Sequence, residues 1–111
     1  MENEDKKMEE ILEKGVEYLK DGQFQEAIGV FEKLIAADEN DAVAHFNLGL
    51  ACMRIAREDI DKEELYEKKT DEEGWILRAI AEFNKVLDIE PDNGEARENI
   101  AVLNKLLNMG V

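Results

Sequence analysis

Residues able to do covalent chemistry are few in this chain of 111 residues, which holds one histidine (His45), one cysteine (Cys52), one threonine (Thr70) and no serine. A serine-based triad therefore has no nucleophile. A zinc site would have to recruit the single histidine and the single cysteine together, completed by carboxylates. Any catalytic machinery would rest on carboxylates, Lys or Tyr alone. The chain is expected to be no enzyme and to bind no cofactor and no metal. His45 reads as a helix-packing residue and Cys52 as a small buried hydrophobe.

Carboxylates are abundant, and they concentrate in residues 56–73, where nine of eighteen are acidic and four are basic. A calcium loop fails on its spacing. Asp59, Asp61 and Glu63 alternate correctly, but Glu64 stands where the turn needs glycine and Thr70 where the bidentate glutamate belongs. Thr70-Asp71-Glu72-Glu73 reads instead as a capping box opening a helix, and Asp61-Lys62-Glu63-Glu64 as a weaker start signal. These signals predict a helix prolonged to about Ile60, a short helix over 62–69, and a long helix from Asp71.

The whole chain is acidic, with 14 basic against 28 acidic residues and a formal charge of −14. Such a surface repels phosphate backbones and anionic lipid, so neither nucleic acid nor membrane is an expected partner. A cationic or amphipathic partner is steered in, less so at high salt. The polar start MENEDKKMEE has no apolar core of a signal peptide, and no apolar run approaches the ~18 residues of a membrane span. With a lone Cys52, a cytoplasmic location is expected.

Apolar spacing is helical almost throughout. Ile11, Leu12, Val16, Tyr18 and Leu19 mark one segment, ended at Asp21-Gly22. Phe24, Ala27, Ile28, Phe31, Leu34 and Ile35 mark a second. A third begins at Ala42 behind Asp41 as N-cap, a fourth runs from Trp75 to Ile89, and a last from about Glu95 to Leu107. Slid against itself by 34 residues, the chain pairs Ile11 with His45, Gly15 with Gly49 and Tyr18 with Cys52. Beyond the acidic run the offset is 52, pairing Gly22 with Gly74, Ala27 with Ala79, Ile28 with Ile80 and Phe31 with Phe83. The difference, 52 − 34 = 18, makes residues 56–73 an insert at a helix–helix turn. Eighteen residues amount to about five α-helical turns.

Leu48-Gly49, Gly15 with Tyr18, Ala27 with Phe31, Ala79 with Phe83, and Pro91 together resemble the tetratricopeptide repeat family. Lys14, His45, Cys52 and Glu39 depart from its pattern. The resemblance spans residues 8–107 apart from the insert. It implies an all-α, right-handed superhelix of two helix–turn–helix units (8–41 and 42–93, the second carrying the insert 56–73), a capping helix over 94–107 and a flexible tail over 1–7. Gly15, Gly49 and Ala101 fall where helix backbones would approach closely. Glu95, Glu98, Asn99 and Lys105 would give the last helix a polar outer face.

In that family the first helix of each unit lines a concave face. The matching positions here are Leu12, Val16 and Leu19, then Val43, Phe46, Leu50 and Met53, with Asn47 and Arg54 as polar neighbours. The carboxylate clamp of chaperone-binding members is absent, because only Asn47 of its positions agrees and Glu95 has the wrong sign. The expected role is a non-enzymatic adaptor that holds an apolar or amphipathic segment of another protein, the acidic surround suiting a basic one. The alternative is a self-associating structural module that uses the same stripe as a homodimer interface.

Overall fold

The computed structural model describes the backbone of residues 2–66 and 72–108, and side chains over 4–58 and 72–108. Five helices account for nearly all of it: α1 (Glu2–Lys20), α2 (Phe24–Ala37), α3 (Ala42–Tyr66), α4 (Glu72–Ile89) and α5 (Gly94–Asn108). Among the described residues there is no strand.

The helix ends follow from their capping residues. Gly22 adopts φ +79, a left-handed conformation open to glycine. There the Gln23 amide donates to Tyr18 O at 2.8 Å and the Gly22 amide to Leu19 O at 3.2 Å, which closes α1. Asp41 caps α3 as expected, its Oδ1 accepting from the Ala44 amide at 3.0 Å. Asn93 does the same for α5, accepting from the Ala96 amide at 2.9 Å. Glu72 and Glu73 sit in the first turn of α4, where carboxylates meet the positive end of the helix dipole.

Three expectations are corrected. Residues 2–7, expected as a flexible tail, belong to α1. The helix expected to stop near Ile60 runs unbroken to Tyr66, so no second helix starts at 62. Between Leu50 and Tyr66 there is no Gly and no Pro, and the start signal at Asp61 is too weak to interrupt good helix formers. The rest of that segment, 67–71, with Thr70 and Asp71 of the capping box, lies outside the described residues. Ala101 is exposed rather than under a close helix contact.

Short turns bring each helix back onto the previous one. α1 packs on α2, α2 on α3, α3 on α4 and α4 on α5, with a smaller contact from α1 to α3. The result is elongated, 51 × 29 × 19 Å. One continuous core runs through it, and Phe31, Phe83, Ile76, Leu103, Val86 and Cys52 are its largest fully buried side chains. Two glycines set the helix spacing. A Cβ on Gly15 would fall 2.6 Å from the Phe31 ring and 2.9 Å from Val30, and a Cβ on Gly49 would fall 2.9 Å from the Phe83 ring. The close approach expected at these glycines is thus made by an aromatic ring of the following helix.

Candidate partner-binding surface

α3 is apolar on two sides, and the structure separates their roles. Ala44, Leu48, Ala51, Cys52 and Ile55 are buried in the core. Phe46, Leu50 and Met53 are half-buried against it, and Val43 is 52% exposed. Phe46 is held by an edge-on contact with Phe83, ring centroids 5.4 Å apart at 69°. One edge of this stripe therefore faces solvent while its aromatic member is anchored from behind.

Ala42, Val43 and Phe46 form one wall of a hollow of about 350 Å³, and Glu90, Asn93, Gly94 and Glu95 form the other. The sequence marked Glu95 only as a clamp position of the wrong sign and as part of a polar outer face, and gave no sign that Glu90 and Asn93 complete the rim. The hollow combines an apolar floor with two carboxylates, a surface suited to an aliphatic or aromatic side chain beside a cation.

The other expected residues are dispersed. Leu12 and Val16 line a different hollow, about 310 Å³, with Glu13, Glu17 and Lys20. Leu19 is buried at 8% exposure and belongs to the core, so it is removed from the candidate surface: its position on α1 turns it toward the interior. Asn47 donates from Nδ2 to the Val43 carbonyl at 2.9 Å, a bond within its own helix. Arg54 is exposed, and among the described residues it forms no ion pair.

His45 and Cys52 have structural partners. His45 is buried, with Nδ1 2.7 Å from Glu82 Oε1 and Nε2 2.8 Å from the Glu39 carbonyl. Both facing atoms are acceptors, so a ring nitrogen that carries hydrogen can donate to the one it faces. It ties α4 to the turn between α2 and α3. Cys52 is fully buried, and loss of solvation pushes its thiol up to about 11, against the opposing pull of Arg78. A thiol held protonated is a poor nucleophile. Among the described residues no group of three or more His, Cys, Asp or Glu is placed to hold a metal, and no helix is long and apolar enough to cross a membrane.

A chain of sequentially stacked helices, paired through glycine and phenylalanine, is a helical repeat protein. Residues 6–41, which hold α1 from its second turn together with α2, match the tetratricopeptide repeat family model. That match supports a tetratricopeptide repeat protein and covers the first helix pair. Such repeats generally mediate protein–protein interaction and are typically non-enzymatic. No curated protein sequence matches the chain significantly.

Proposed function

We propose that the chain is an adaptor that holds an apolar or amphipathic, basic segment of another protein against α3 and its neighbours. The surface comprises Leu12, Val16, Val43, Phe46, Asn47, Leu50, Met53 and Arg54, with Glu90 and Glu95 added as its acidic rim. In this reading two units, 8–41 and 42–93, and the closing helix 94–107 form a right-handed superhelix that presents this surface on its concave side. Residues 56–73 are an insertion in the second unit, and the protein works in the cytosol.

The observation that carries the reading is Val43, an aliphatic side chain half exposed beside an anchored phenylalanine, across a hollow from two carboxylates. Covering one large apolar side chain contributes about 1.5–3 kcal/mol, and association costs of about 4–15 kcal/mol offset much of the total. Micromolar binding is expected, weakening with salt.

Selection of binders from a displayed random-peptide library, followed by fluorescence anisotropy, tests it. Val43→Asp should weaken the selected peptides by at least about tenfold, roughly 1.4 kcal/mol, while the melting temperature stays unchanged. Leu77→Asp, at a half-exposed leucine on α4, is the control. Binding lost with Leu77→Asp and kept with Val43→Asp would place the site elsewhere. Light scattering across a concentration series addresses the self-association alternative, which predicts a dimer that Val43→Asp dissociates.

A further inference from the structure

A second surface, at the outer edge of the first repeat, carries the opposite charge. Ile11, Lys14 and Tyr18 of α1 and Val30 and Lys33 of α2 line a hollow of about 250 Å³. No acidic residue lines it, unlike the hollows that hold Glu90 and Glu95, Glu13 and Glu17, or Glu32 and Glu82. Ile11, Tyr18 and Val30 are only half-buried. Lys14 lies over the Tyr18 ring, Nζ 6.0 Å from its centroid, and among the described residues neither Lys14 nor Lys33 forms an ion pair. In a chain of net charge −14 this is a local reversal of sign.

Repeat register shows what such a surface accepts. The equivalents of Ile11, Lys14 and Val30 in the second unit are His45, Leu48 and Glu82. Those three lie against α2, whose Glu32, Ile35 and Ala36 line the same hollow together with Arg78 of α4. A helix is thus already seated on the internal copy. It brings a carboxylate with it: Glu32 of α2 pairs with Arg78 of the second unit at 3.0 Å. At the outer edge no helix of the described chain occupies the corresponding place; there the register equivalent of Arg78 is Glu26 (78 − 52 = 26), and the cations are instead Lys14 and Lys33, at the positions of Leu48 and Lys85.

We propose that this edge docks an amphipathic helix of a partner protein that carries Asp or Glu beside its apolar stripe. The stripe covers Ile11, Tyr18 and Val30, and the carboxylates meet the two lysines. This site is independent of the α3 surface and takes a partner of opposite charge.

The test uses the full chain and a fluorescein-labelled synthetic helix with a Leu/Ala stripe flanked by Glu, titrated at physiological ionic strength. Saturable binding is expected. The Lys14→Glu/Lys33→Glu variant should weaken it by at least about tenfold, Lys14→Gln/Lys33→Gln should weaken it less, and Val43→Asp should leave it unchanged. Both lysine sites are solvent-facing, and circular dichroism melts check the fold of each variant. A helix of the same stripe flanked by Lys should gain affinity for the Glu variant. Absence of saturable binding by the acidic helix, or binding that survives lysine reversal, overturns the proposal. Loss of binding with Val43→Asp alone overturns it as well, since the helix would then occupy the α3 surface.

Discussion

The two helix pairs, α1–α2 and α3–α4, use the same lock in different surroundings. In each, a glycine of the first helix lies beneath a fully buried phenylalanine of the second, Gly15 under Phe31 and Gly49 under Phe83. Around the lock the residues diverge with position. The first pair sits at an edge and has Tyr18 half-buried where the second, flanked by α2 and α5, has Cys52 fully buried. Ile11 of the outer pair corresponds to His45 of the inner, which must find partners for both ring nitrogens because it is buried. The helix pair is therefore specified locally, and what varies is how each pair meets its neighbours.

The largest test of this comparison is removal of each ring. Phe31→Ala and Phe83→Ala should each cost about 3–5 kcal/mol in urea unfolding. Phe83→Ala should cost more, since its ring also supports Phe46. Equal losses would mean that the inner lock gains nothing from that contact. Next comes overpacking: Gly49→Leu should cost about 1–3 kcal/mol. Gly94→Ala, where an added Cβ meets nothing within 4 Å, should stay within about 0.5 kcal/mol of the parent. A Gly49→Leu variant that melts with Gly94→Ala would refute the ring contact.

Smaller effects compare Tyr18 with Cys52. In a Tyr18→Cys/Cys52→Ala variant the outer thiol should react with a maleimide at least about tenfold faster than native Cys52, whose labelling should wait for unfolding. Comparable rates would show that the inner pair opens as freely as the edge. The smallest effect is a pH slope. Burial holds the Cys52 proton in the folded chain up to about 11, whereas the unfolded thiol loses it around its ordinary value of 9.0. Above that value the unfolded chain binds fewer protons, so stability falls as pH rises between those values. Cys52→Ala should remove this part of the slope, seen as the difference between the two stability–pH curves. Parallel curves would mean that the thiol is solvated in the fold.

Much of the fold was legible because its signals are local. The 3.6-residue spacing located α1, α2, α4 and α5, Gly22 closed the first helix, and Asp41 opened the third. The glycines announced close contacts because glycine inside a helix is otherwise unfavourable. Continuity of α3 to Tyr66 was less legible, since a capping signal and a helix interior compete with similar weak propensities. The candidate surface was legible as a stripe but not as a hollow. That Val43 is exposed, Phe46 anchored and Leu19 buried depends on how neighbouring helices are placed, which periodicity leaves open. Glu90 and Asn93 come from a turn, where no apolar pattern exists to mark them.

Packing of each helix chiefly on its sequence neighbours has a kinetic consequence. Contacts between nearby segments form without closing long loops, so the chain should fold quickly, in the microsecond-to-millisecond range of helical proteins. It should also come apart from its ends. Among the described residues α1 and α5 each have covering helices on one side only, while α3 packs between α2 and α4. Amide hydrogen exchange should then follow a gradient along the array, fastest in the terminal helices and slowest in the α3–α4 pair. The acidic helix proposed to dock beside α1 would slow exchange at that end first.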